Sequence, residues 1–113
     1  MGRLNSVTID CKNGEKLAGF WVQVLEGYSV DAQWPMVLKS DSGPTIFFQA
    51  VPEPKKGKNR VHLDLSSADR AAEVARLTGL GAKVQKEMEE AGFKWTIMED
   101  PEGNEFCVTQ AAG

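Results

Sequence analysis

Val7-x-Ile9-Asp10 returns 54 residues later as Val61-x-Leu63-Asp64, and Gly27 returns at the same spacing as Gly81. One structural unit is therefore written twice, and the chain has to fold as two copies of it. In the first copy Val7 and Ile9 alternate with Thr8 and Asp10, the period of a strand. Asn13 then offers an N-cap with Glu15 in the first turn, and Leu17, Phe20, Trp21, Val24 and Leu25 fall at helical spacing up to a stop at Gly27. In the second copy Val61, Leu63 and Leu65 alternate with His62, Asp64 and Ser66. Ser66 and Asp69 fit a capping box before a helix through Val74 and Leu77, which Gly79 and Gly81 end.

No further helix follows either one. Strand-like runs span 29–32, 36–40 and 45–51 in the first half and 83–87, 94–99 and 105–110 in the second. Asp41-Ser42-Gly43-Pro44 and Asp100-Pro101-Glu102-Gly103 supply tight turns between them. Each half reads strand, helix, strand, strand, strand. The expected fold is α+β, with two tandem βαβββ modules whose sheets join or wrap around a shared space, because a lone unit would leave a sheet face uncovered. A single domain over 1–113 is expected, with module one at about 4–52, a linker at about 53–59 and module two at about 60–110.

With 113 residues, 42% hydrophobic and 26% charged, the chain can build one real core. Its net charge of −3 gives no basic field for nucleic acid or an anionic membrane, and neither is expected as a partner. The interrupted run Lys55, Lys56, Lys58 and Arg60 reads as a solvated linker. Two cysteines, Cys11 and Cys107, make no disulfide framework, so a cytoplasmic setting is expected. No apolar run reaches the roughly 18 residues of a membrane span, and no signal-peptide core is visible. MGRLNS matches the short N-myristoylation pattern, as many sequences do by chance.

The duplicated plan, Phe20-Trp21 in the first helix, RVHLDL opening the second unit and DPEGNEF before the last strand together resemble the vicinal oxygen chelate superfamily. Glyoxalase I, extradiol dioxygenases and bleomycin-resistance proteins belong to it. PEPKKGKNRVHLDL with DPEGNEFCV is most similar to bacterial glyoxalase-like domain proteins, and the resemblance runs from about Leu4 to Thr109. It implies a cupped mixed sheet and, in metal-using members, a divalent ion held by four side chains that stabilises an enolate as a Lewis acid. Carried over by position, those four are Ser6, Phe47, His62 and Cys107. Only His62 keeps the family's ligand type, so no cofactor and no metal are expected. A register slip of two would instead offer Thr8, Gln49, Asp64 and either Glu105 or Thr109. The resemblance also implies a homodimer.

The candidate catalytic pair is His62 with Cys107, since an imidazole can activate a neighbouring thiol, with Asp64 on the same strand face to orient the ring. The plainer readings are a cleft-lining histidine and a small buried cysteine. Among the aromatics, Phe20 and Trp21 read as core, as does Trp95 in alternation with Phe93 and Ile97. Trp34, before Pro35 in a loop, reads as the rim of a cleft or a dimer contact. Phe47 would make a ligand position apolar. The expected ligand-binding set is Phe47, Gln49, His62, Trp34 and Cys107.

The first functional expectation is a small-molecule-binding protein with a largely apolar cleft. The alternative is a metal-independent isomerase, epimerase or lyase acting on a small oxygenated metabolite with His62 as general base. Metal-dependent glyoxalase I-like chemistry stands third. An interaction domain presenting the acidic stretch Glu87, Met88, Glu89, Glu90 stands fourth.

Overall fold

The computed structural model describes residues 1–111. The chain divides into two compact units, Met1–Lys55 and the stretch from Lys56 onward. The first contains β1 (Ser6–Cys11), α1 (Gly14–Val24), β2 (Ser29–Val30), β3 (Val37–Lys39) and β4 (Thr45–Ala50). The second repeats the plan with β5 (Leu63–Ser67), α2 (Arg70–Gly79), β6 (Lys83–Glu90), β7 (Phe93–Glu99) and β8 (Glu105–Gln110). The expected α+β class and the two tandem βαβββ modules are observed, as two mixed four-stranded sheets with strand orders β1-β4-β3-β2 and β5-β8-β7-β6. In each, the first and last strands pair in parallel and the rest are antiparallel. None of the helices among the described residues is long and apolar enough to cross a membrane.

In module one the sequence signals act as read. Asn13 caps α1, its side chain accepting from Lys16 N at 3.1 Å. The helix lays Leu17, Ala18, Phe20, Trp21 and Val24 against Leu38, Ile46 and Phe48 of the sheet, all buried. Phe20 and Trp21 meet edge to face, with ring centroids 5.5 Å apart, a geometry that suits the ring quadrupoles. Both are core, as expected.

Module two departs from the expectation at three points. Ser66 is not the helix cap: it lies within β5, and Asp69 caps α2 by accepting from Ala72 N at 3.1 Å. Strand β5 begins only at Leu63, leaving Val61 77% exposed ahead of it. Trp95 is not core. The buried β7 side chains are Thr96 and Met98, on the α2 face, while Trp95 and Ile97 lie partly buried on the far face and Phe93 is exposed.

The physical reason for the third departure is the weak apolar stripe of α2, of which only Leu77 is fully buried. A polar clasp supplements it. Arg70 Nη1 donates to Thr96 Oγ1 at 2.6 Å and to Glu87 Oε2 at 2.7 Å, and Thr96 Oγ1 donates to the same carboxylate at 2.9 Å. Thr96 can therefore be fully buried without an unmade hydrogen bond.

The caps Asn13 and Asp69 are 56 residues apart, whereas the sequence motifs repeat at 54. The second copy is two residues longer between strand motif and cap (Val61 to Asp69 against Val7 to Asn13) and two shorter between cap and glycine (Asp69 to Gly81 against Asn13 to Gly27). A strand has period two, so either spacing keeps every side chain on its own face. Aligned on the caps, Ser6 corresponds to His62, and Thr8 to Asp64.

Candidate functional site

The far face of the module-two sheet, turned away from α2, gathers the chemistry-bearing side chains. His62 stands one residue before β5 and Asp64 one residue inside it. Parallel pairing sets Asp64 directly opposite Cys107 of β8. Strand alternation puts Leu63, Leu65, Phe106 and Val108 on the helix side and Asp64 and Cys107 on the other. The approach to β5 is anchored by Asn59, whose backbone N–H donates to Glu105 Oε2 at 3.0 Å while its side-chain amide donates to Glu105 O at 3.4 Å.

His62 Nε2 lies 3.2 Å from Asp64 Oδ1, with both side chains about half exposed. Cys107 is buried at 8% exposure. One potential ligand atom from each of the three residues lies within 4.8 Å of the other two. Burial, then the negative charge of Asp64 and its contact with the thiol, push the Cys107 pKa up. The thiol is held protonated, which lowers its nucleophilicity. The carboxylate thus serves the imidazole and opposes the thiolate. The expected pair of His62 and Cys107 is brought together, with Asp64 as a third member. Beside them on the same face, Ile97 opposes Cys107 and Trp95 opposes Thr109. Thr109 is occupied, its hydroxyl donating to Leu65 O at 2.9 Å.

In module one Phe47 lies on the corresponding face, opposite Thr8 of β1 and Val37 of β3, and is partly buried. Gln49 is exposed opposite Asp10. The family's four-ligand cage does not fit these residues. Phe47 has no donor atom, and Ser6 offers only a hydroxyl on an exposed strand end. Asp64, outside the carried-over set, is the additional donor. Of the acidic stretch, Glu87 is tied to Arg70, and Met88 is partly buried opposite Trp95.

Trp34 is 54% exposed in the loop between β2 and β3. Asp31 organises that loop, accepting from Gln33 N at 3.1 Å and Trp34 N at 3.0 Å and pairing with Lys39 Nζ at 3.1 Å. The Lys39 contact and these backbone N–H groups lower the Asp31 pKa below 3.8. A depressed carboxylate stabilises the folded loop above its unfolded pKa and loses that contribution as pH falls through the folded value. On acidification the Trp34 indole resonance is therefore expected to shift as pH falls through the lowered Asp31 pKa. In Asp31→Asn that acid-dependent shift should vanish. A Trp34 resonance that moves alike in both proteins would sever the loop from Asp31.

The model of the glyoxalase-like domain family matches residues 6–109. No curated protein matches the sequence significantly. Among solved structures, a glyoxalase/bleomycin resistance protein/dioxygenase family enzyme from Burkholderia phytofirmans PsJN superimposes with a TM-score of 0.76 at 21% identity, covering 96% of this chain and 98% of its own. A member of the same superfamily from Sphaerobacter thermophilus DSM 20745 gives 0.69 at 20% identity, with 96% and 97% covered. TnmS3, an antibiotic-binding protein from Streptomyces sp. CB03234, gives 0.70 at 19% identity, with 99% and 98% covered. At these identities the structural likeness speaks for the fold. The family match over nearly the whole chain, carried on two tandem βαβββ modules, makes this protein a member of the glyoxalase-like domain family, within the vicinal oxygen chelate superfamily.

Proposed function

We propose that this protein binds a small amphipathic organic molecule, as a binding protein of the glyoxalase/bleomycin-resistance type. The observation that carries the reading is the far face of module two, where partly buried Trp95 and Ile97 adjoin the polar group of His62 and Asp64. Apolar floor beside a few convergent polar atoms is the usual make-up of a ligand site. The antibiotic-binding activity named for the Streptomyces structure supports the ligand class.

A thermal-shift screen against a broad panel of planar and amphipathic compounds tests it. A true ligand at a hundred times its Kd stabilises by about 2.7 kcal/mol. Ile97→Ser and Trp95→Ser, at partly exposed positions of that face, should keep the fold and lose the shift. A panel that leaves the melting temperature unmoved, or variants that bind as well as the parent, would overturn the reading.

The second reading is metal-independent proton transfer with His62 as general base. The 3.2 Å contact to Asp64 favours it, since a carboxylate on one ring nitrogen orients the imidazole and leaves the other nitrogen for substrate. Turnover of a bound oxygenated metabolite that disappears in His62→Ala, with binding retained, would select this reading over sequestration.

A further inference from the structure

We propose that His62, Asp64 and Cys107 form a three-ligand site for a borderline-soft divalent ion, zinc in the first instance, built within module two alone. The site differs from the four-ligand cage of metal-using relatives in taking all its protein ligands from two adjacent strands of one sheet. It shares His62 and Asp64 with the small-molecule reading, and its test reads metal binding alone.

Geometry carries the argument. Zinc bonds nitrogen and oxygen at about 2.0–2.1 Å and sulfur at about 2.3 Å, so tetrahedral ligand atoms sit about 3.3–3.6 Å apart. His62 Nε2 and Asp64 Oδ1 already stand 3.2 Å apart, and all three ligand atoms fall within 4.8 Å of one another. Ladder pairing holds Asp64 opposite Cys107, and His62 precedes Asp64 by two residues, so the three side chains start from neighbouring positions. The ligand chemistry agrees. One imidazole, one carboxylate and one thiolate together carry two negative charges, which a divalent ion neutralises. A thiolate beside an imidazole selects zinc or cobalt over magnesium or calcium. Three protein ligands leave one position open, the arrangement of zinc sites that admit water or a ligand oxygen. When the ion binds, a sulfur–metal bond replaces the S–H bond, and the proton leaves to water.

Chelator-treated, reduced protein titrated with cobalt(II) provides the test. The expected result is saturation at one ion per chain, with visible d–d bands of tetrahedral intensity and a near-ultraviolet sulfur-to-cobalt charge-transfer band. Cys107→Ser should lose the charge-transfer band. His62→Ala and Asp64→Asn, altered at half-exposed side chains that the fold does not need, should each weaken binding at least tenfold, the lower end of what even outer-shell changes cost. Cys11→Ser, in module one, should leave the spectrum unchanged. Competition with zinc should bleach the cobalt bands. The proposal is overturned by an absence of stoichiometric binding, by a charge-transfer band that survives Cys107→Ser or vanishes in Cys11→Ser, or by full affinity in His62→Ala.

Discussion

Gly14→Ala is expected to destabilise the protein by about 2–3 kcal/mol, while Gly19→Ala, five residues along the same helix, stabilises it by about 0.5–1 kcal/mol. The opposite signs follow from what a new methyl group would meet. At Gly14, the first residue of α1, a Cβ would collide with the backbone carbonyl oxygen of Phe48 and stand 3.1 Å from Met36 Cβ. A backbone oxygen of a central strand cannot rotate aside, so α1 would have to lift off β4 and loosen Leu17, Phe20 and Trp21 from Ile46 and Phe48. At Gly19 nothing lies within 4 Å, and alanine gains its full helix preference. Urea unfolding of both variants at unchanged m-value reads the difference directly. Equal stabilisation by the two alanines would mean that the start of α1 does not abut β4.

The same packing explains which parts of the fold were legible in the sequence. Module one was readable because each signal had a single use: Asn13 could only cap, and Leu17, Phe20, Trp21 and Val24 formed one stripe broad enough to cover a sheet. Module two was harder because its helix is poor in apolar residues. Alternation along β7 correctly paired Phe93, Trp95 and Ile97 on one face, but period two does not say which face the helix covers. The Arg70–Thr96–Glu87 clasp decided that, and a hydrogen-bonded threonine in place of an apolar core residue leaves no periodic trace. The thin stripe of Val74 and Leu77 was the available signal that α2 needed polar help.

For the site, His62 and Cys107 could be located from motif spacing alone. Asp64 was visible as a same-face neighbour, but its position opposite Cys107 depends on strand register between segments more than forty residues apart, which local sequence does not encode. That register changes the chemistry assigned to the cysteine. A thiol next to an imidazole reads as a nucleophile, whereas the same thiol facing a carboxylate is held protonated.

Asp100 closes the turn that leads into β8, and Asp100→Ala is expected to cost about 2–4 kcal/mol, since two backbone donors lose their acceptor. Asp100 is 3% exposed at the turn between β7 and β8. Its Oδ1 accepts from Glu102 N at 2.9 Å and Asn104 N at 3.0 Å, and Asn104 Nδ2 reaches Oδ2 at 3.0 Å. Its backbone closes the turn as well, the carbonyl accepting from Gly103 N at 2.9 Å and the N–H donating to Asn104 O at 2.9 Å. Alanine keeps the backbone bonds and removes every side-chain acceptor. Asparagine keeps one oxygen for the two backbone donors but turns an NH2 toward the Asn104 amide, so its cost should fall between alanine and the parent. Hydrogen exchange at the Phe106, Cys107 and Val108 amides should quicken in the same order, because β8 pairs with β5 and β7 from the turn onward. A loss under about 0.5 kcal/mol for Asp100→Ala, the range of a neutral surface change, would show that the turn does not set the strand. In that case the placement of Cys107 opposite Asp64 would have to come from the β5–β8 ladder itself.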